Sequence, residues 1–378
     1  MANTELSLDA EKSANPENPS SAELPESMMD LLQEVHVLRL PMVTRFRGIT
    51  EREVLLFEGP NGWAEFSPFT EYGTAESSRW LRAALEFAGH LPPHPGTAAV
   101  PGAEASGHLG ESFVAINATL PACATSEVEA ILSRFGPVGT VKAKVAEHGI
   151  DSLPADLERL REFRRLFPTA TLRLDANAGY SVPEALTACA EFAHFDLQYF
   201  EQPVAAVEDM ARLRQALSER GLPVVLAADE SIRKADDPLR VAELGAAEVV
   251  IVKVQPLGGI AAARSVIEAC GLPAVVSSAL ESSVGLAAGA HLAASLPRTD
   301  RSLEILGENP ACGLGTARLF GEDVVAEEKS LSPVDGRIPV TRIVPDPKRL
   351  EALAVDPGRF AWWSDRLQAC WTHLRPQV

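Results

Sequence analysis

From residue 35 to 90, apolar and polar positions follow two patterns in turn. VHVLRLP (35–41) and EVLLFEG (53–59) are short runs of strand character, and the second leads through Pro60-Asn61-Gly62 into WAEFSPF (63–69). That order predicts a hairpin with a glycine-containing turn. TAESSRWLRAALEFAGH (74–90) then predicts a helix that opens at Thr74 and closes near Gly89. Strands followed by a helix, without alternation, predict a small α+β unit. A low-charge stretch rich in Pro, Gly and Ala (91–110) separates this unit from the rest of the chain.

From about residue 113 short apolar runs alternate with helical stretches. The runs are FVAINAT, VGTVKAKVA, ATLRLDANA, LQYFEQPV, VVLAADES, EVVIVKVQ, PAVVSSAL and SLEILG. Helical segments such as DLERLREFRRLF, PEALTACAEFA, VEDMARLRQALSERG and IAAARSVIEACG lie between them. Strand–helix alternation implies parallel strands, and eight such units fit a (β/α)8-type barrel of roughly 200–250 residues. A doubly wound open sheet would want a glycine-rich phosphate loop after its first strand, and INATLPACA supplies none. The expected fold class is therefore α/β, a barrel with an α+β capping domain. Its expected divisions are a tail (1–28), the cap (29–110), the barrel (111–320) and a C-terminal segment (321–378).

In such a barrel alternate residues point inward, and sites form where strands end at their C-terminal side. Five charged residues interrupt five consecutive apolar runs: Lys144, Asp175, Glu201, Asp229 and Lys253. Their separations are 31, 26, 28 and 24 residues, one strand–helix unit each. They are expected to converge on one mouth. Three carboxylates on neighbouring strands are oxygen donors suited to a hard cation, Mg²⁺ with Mn²⁺ as a substitute, and not to zinc. A lone carboxylate at a strand end ordinarily caps a helix, and a lone lysine ordinarily marks a solvated edge. Neither habit accounts for lysines before and after a carboxylate trio in register.

Composition narrows the partners. Of 378 residues, 34 are Lys or Arg and 52 are Asp or Glu, a formal charge of -18 that repels phosphate backbones. Nucleic acid is excluded as a partner, and a small carboxylate is the expected one. The five cysteines are scattered and odd in number, which fits buried thiols in a reducing cytoplasm. The first residues have neither the apolar run of a signal peptide nor that of an anchor, so a disordered acidic tail and a cytoplasmic, non-membrane protein are expected. Nothing in the pattern sets the oligomeric state.

These motifs resemble the enolase superfamily, in the branch with a Lys-x-Lys pair on one strand (Lys142-Ala143-Lys144) and a lysine on a later one (Lys253). Asp175 in LDANAGY, Glu201 in FEQPV and Asp229 in ADES look like its metal-ligand signature. More narrowly, RFRG (45–48), GWAEFSPFTEY (62–72), SSALESSVGLAAG (277–289) and GLGTARLF (313–320) are similar to o-succinylbenzoate synthases of the actinobacterial type. The resemblance covers about residues 30–365. It implies a cap completed by the C-terminal segment and a Mg²⁺-assisted syn dehydration of a succinyl-bearing cyclohexadiene carboxylate, serving menaquinone synthesis. Lys144 is then expected to be the base and the acid, its pKa lowered by burial or by Lys142, and Lys253 to stabilise an enediolate.

Supporting roles are expected for Asn177, which could orient a ligand, and for Ser278 and Glu281 on the seventh strand. These two would contact a distal carboxylate or brace Lys253, bracing being favoured for Glu281. Arg47 is a candidate anion contact in the lid. One departure is visible: Ala146 replaces a glycine often found two residues after the second lysine. The rival readings are an N-acylamino-acid racemase or dipeptide epimerase, a muconate cycloisomerase, and, from another class, a silent barrel used as a binding scaffold.

Overall fold

A computed structural model of the chain describes residues 27–46, 49–93, 113–137, 139–234 and 240–378. The acidic tail up to residue 26, the linker from 94 to 112 and Arg47 lie outside the described residues. Packing begins at Met28, which is fully buried and whose N–H donates to Gln368.

The cap is an antiparallel sheet of β1 (Gln33–Phe46), β2 (Ile49–Gly59) and β3 (Gly62–Phe66). Gly59 pairs with Gly62 across the Pro60-Asn61 turn, as the sequence predicts. The helix Thr74–Ala88 lies on this sheet and ends where predicted, at Gly89 with φ of 85°. A side chain there would collide with Asn61, whose Cγ is 2.6 Å from where its Cβ would be. Glycine is thus required twice over, by backbone conformation and by the turn packed against it. The C-terminal helix Pro357–Leu374 completes the cap, burying Trp363, Leu367, Cys370 and Trp371. Trp363 meets Phe66 edge-on at 5.9 Å between ring centroids.

β4 (Phe113–Ala115) leads into the parallel sheet of β5 (Ala118–Leu120), β6 (Thr140–Lys144), β7 (Thr171–Asp175), β8 (Leu197–Glu201), β9 (Leu226–Ala228), β10 (Val249–Val252) and β11 (Ala274–Val276). The seven strands of this sheet, β5 to β11, run in sequence order, as successive strand–helix units of a barrel do. β4 pairs instead with β12 (Arg337–Pro339), which ties the C-terminal segment to the barrel's entry.

The eighth predicted strand is corrected. SLEILG lies in a helix, Asp300–Leu306, opened by reciprocal bonds between Thr299 and Ser302. Its Leu306 plugs the barrel with Tyr199, Ala227, Val249, Ile251 and Val275. Closure falls to Cys312 and Gly313, which form parallel bridges to Ile116 on one side and Ser277 on the other. Arg173, fully buried on β7, supports that short closure from within. Its Nη1 donates to the Ala311 carbonyl at 2.7 Å and to Asn117 Oδ1 at 3.2 Å, and its Nε donates to Gln198 Oε1 at 2.8 Å.

All five cysteines are free thiols. Among the described residues, no helix is long and apolar enough to cross a membrane.

Candidate active site

The strand ends set the geometry. Lys144, Asp175 and Glu201 are the last residues of β6, β7 and β8 and are register partners in series. Asp229 and Lys253 each stand one residue past their strands, β9 and β10. One cavity at this end of the barrel is lined by Lys142, Lys144, Asp175, Asn177, Asp229, Lys253 and Ser278, together with Phe69 from the cap. Glu201 lies beneath it, fully buried.

Cations and anions alternate around this mouth. Lys142 Nζ donates to both Glu201 oxygens at 3.1 and 3.0 Å and lies 3.2 Å from Asp175 Oδ2. Lys144 Nζ donates to Asp175 Oδ2 and, at 2.6 Å, to Asn177 Oδ1. Lys253 Nζ donates to Asp229 Oδ2. Burial alone would raise the Asp175 carboxyl, but the Lys144 and Lys142 ammoniums outweigh it and hold the group well below the usual carboxylate range. Burial and then the Asp175 charge push Glu201 upward, against the pull of Lys142. Burial likewise disfavours the Lys142 cation, yet Glu201 and Asp175 keep its pKa above normal.

Loops after the strands hold these groups in place. Asn177 takes a left-handed conformation at φ of 44°. Its N–H donates to Asp175 Oδ1 at 3.0 Å and its Nδ2 to Glu230 Oε1 at 3.3 Å. Arg159, paired with Asp156, donates to the Lys144 carbonyl at 2.7 Å and so fixes the base of that side chain. Ala146, the residue that departs from glycine, has φ of 62° and donates its N–H to Asp156 Oδ2 at 2.9 Å. The conformation explains why glycine suits the position.

Two placements differ from the sequence reading. Ser278 and Glu281 follow β11 rather than standing on it. Ser278 lines the cavity, its hydroxyl 2.7 Å from that of Thr316. Glu281 is buried outside the lining of the cavity, near enough to Lys253 to feel its charge, and it accepts the Ala279 N–H at 2.6 Å and so braces the loop. Sequence reasoning also passed over Gln202. Its Oε1 accepts from the backbone of Asp229 at 2.9 Å and Ser231 at 3.2 Å, while Nε2 donates to Val204 O and Ser231 Oγ. The signal was present: a second polar residue beside Glu201 in an apolar run.

The donor set suits a hard divalent cation. Asp175, Glu201 and Asp229 offer only oxygens, are at most 1% exposed, and already draw positive charge, each holding a lysine ammonium. Among the described residues, no three His, Cys, Asp or Glu side chains are yet gathered as a coordination shell. The lysines hold the oxygens that such a cation would take.

Comparison with known proteins agrees in both parts of the chain. A family model described as enolase C-terminal domain-like matches residues 123–342, and one described as enolase N-terminal domain-like matches 37–88. The chain is 46% identical over 347 residues to the o-succinylbenzoate synthase of Mycobacterium tuberculosis, an alignment covering 92% of this chain and 96% of that protein. The Mycobacterium marinum enzyme of the same name is 44% identical over 351 residues, covering 93% and 97%. Muconate lactonizing enzyme from Pseudomonas putida superposes with a TM-score of 0.63 at 18% identity, covering 86% of this chain and 100% of that one. N-succinyl Arg/Lys racemase from Bacillus cereus gives 0.62 at 19%, covering 85% and 97%. At such identities these two structures carry the fold alone.

Proposed function

The chain belongs to the enolase superfamily and, within it, to the o-succinylbenzoate synthases, carbon–oxygen lyases of menaquinone synthesis, and from that premise we propose how its own residues perform the dehydration. The substrate is a cyclohexadiene carboxylate bearing a succinyl group and a hydroxyl. Lys144, in its neutral form, takes the proton from the carbon next to the ring carboxylate, and the C–H electron pair passes into that carboxylate as an enediolate. The pair returns to break the C–O bond on the same face. Lys144, now an ammonium, gives the proton to the departing hydroxide, so water leaves and the ring becomes aromatic.

Lys253 reaches the same cavity from another strand and stabilises the charge of the enediolate. This counts most in the transition state, where the charge develops. Lys142 supplies a second cation on the Lys144 face, and Asn177 fixes the Lys144 ammonium. Asp175, Glu201 and Asp229 would hold a divalent cation, which we take to be Mg²⁺, with Mn²⁺ as a substitute. When bound, such an ion supplies further stabilisation of negative charge on the substrate carboxylate.

The observation that carries the reading is the arrival of Lys144 and Lys253, from β6 and β10, at one cavity that also holds Asp175 and Asp229. The three lysines of the cavity are matched by Asp175, Asp229 and Glu230, so an anionic substrate is favoured once the carboxylates hold a divalent cation and the ammoniums are released from them. The racemase reading would use the same lysines, but it rests on a relative 19% identical, against 46% for the synthase. The test is an assay of purified protein with the cyclohexadiene acid and with N-succinyl amino acids, with and without Mg²⁺. Rapid aromatisation of the diene acid, with slow or no racemisation, supports the proposal. Racemisation alone overturns it.

A further inference from the structure

Between the cap sheet and the barrel lies a second buried polar cluster that the reaction just described does not use. Arg52 on β2 is 3% exposed. Its Nε donates to the Leu280 carbonyl at 3.1 Å, and its Nη2 donates to the carbonyls of Ser67 and, at 3.4 Å, Ala279. The guanidinium also lies 4.2 Å from the centroid of the Phe69 ring. Phe69 is a cavity wall contributed by the cap; Ala279 and Leu280 are walls contributed by the barrel. One side chain therefore touches both.

The barrel wall needs such a hold. Leu280 has φ of 63°, a left-handed conformation that leucine disfavours. Glu281 accepts the Ala279 N–H on one side of it, and Glu65 on β3 accepts the Ser282 N–H at 3.0 Å on the other. Arg52 takes the two carbonyls between them. Burial lowers its pKa to about 10, so it remains a cation at neutral pH. A planar fork can serve several carbonyls and a ring face at once, which a lysine cannot.

We propose that Arg52 is a positioning residue for substrate: by holding the carbonyls of Ala279 and Leu280 while lying against Phe69, it sets the spacing between the cap wall and the barrel wall of the cavity. This rests on the reading of that cavity as the synthase site. Arg52 touches none of the reacting groups, so its loss should weaken binding of ground state and transition state alike.

The test uses the full chain with Arg52→Lys and Arg52→Met, measuring kcat and KM for the diene acid, the dissociation constant of o-succinylbenzoate by calorimetry, and the melting temperature. Arg52→Lys should raise KM and the product's dissociation constant about tenfold with kcat within about threefold, and Arg52→Met should raise both about a hundredfold. In a Leu280→Gly background, where the left-handed turn needs no support, the Arg52→Lys effect should shrink to under about threefold. Unchanged KM and product affinity would overturn the proposal. So would a loss of kcat alone, which would place the effect of Arg52 in the transition state, or an Arg52→Lys protein that fails to fold, which would make Arg52 a pillar of the cap. A wild-type protein that leaves the diene acid untouched would sink the functional reading instead.

Discussion

The barrel mouth and the seam beneath the cap both bury several charges, yet they settle them in opposite ways. At the mouth Asp175, Glu201 and Asp229 each have an ammonium within hydrogen-bonding distance, and Asp175 is held far below the normal carboxylate range. At the seam, Glu65 leans on the hydroxyls of Ser67 and Ser282 and on a backbone N–H, while the guanidinium of Arg52 is spent on carbonyls. Burial, with the neighbouring Glu281 charge, pushes Glu65 up to about 7. Burial acts on every one of these carboxylates and the balance of neighbouring charge decides the sign: two ammoniums outweigh it at Asp175, whereas Glu201, with Lys142 set against the Asp175 charge, is still pushed up. Lysines are compact point charges on flexible stems and can yield their oxygens to another cation, whereas hydroxyls and a guanidinium fork hold one geometry. The mouth is built to exchange charge and the seam to keep its shape.

The sharpest way to break that contrast is to neutralise carboxylates in each place. Asp175→Asn, Glu201→Gln and Asp229→Asn should each lower kcat/KM by about a thousandfold or more, while Glu65→Gln should cost less than about tenfold. Comparable losses from the two sets in steady-state assays would erase the distinction. Divalent cation should act on one region alone. Chelation should abolish turnover, and Mg²⁺ at about a thousand times its dissociation constant should stabilise the fold by about 4 kcal/mol. Calorimetry should show that gain undiminished in Glu65→Gln and lost in Asp175→Asn.

The seam predicts a pH dependence of its own. Glu65 titrates near 7 in the fold against 4.5 for an ordinary Glu, so between those values the folded chain holds more proton than the unfolded one. Stability from this group is therefore full below about pH 4.5 and falls as pH rises toward and through 7, by up to about 3 kcal/mol. In urea unfolding across pH 5 to 8, wild type should lose stability relative to Glu65→Gln as pH rises, and a difference that stays constant with pH would show that the group is not perturbed. The smallest effect is expected at Ala146. Ala146→Gly relieves a left-handed alanine and should add up to about 1 kcal/mol of stability without changing kcat. A lower melting temperature would show that the alanine is at ease there.

How much of this could be read beforehand obeys the same division. The mouth was legible because a charged residue in an apolar strand is conspicuous, and the repeat of strand and helix set the five positions on one end of the barrel. The seam was not. Nothing in ERE or WAEF marks Arg52 or Glu65 for burial, and the loop after β11 that covers them comes more than two hundred residues later. The barrel's closure was hidden for another reason. SLEILG has the apolar content of a strand, but the Thr299–Ser302 box starts a helix and Leu306 is needed as a plug. The residues that do close the barrel, Cys312 and Gly313, are too few to carry a pattern.

The central claim is that Lys144, at the end of β6, moves the proton and that Lys253 does not. It is tested most directly by following, in D₂O by NMR, both aromatisation of the diene acid and deuterium entry at its α-carbon with Lys144→Ala and Lys253→Ala. Each variant is first shown to bind Mn²⁺ and o-succinylbenzoate. The account predicts neither aromatisation nor exchange in Lys144→Ala, and severely slowed aromatisation in Lys253→Ala with Lys144-dependent exchange still detectable. Substantial aromatisation by Lys144→Ala, with none by Lys253→Ala, would contradict it and reverse the roles of the two lysines.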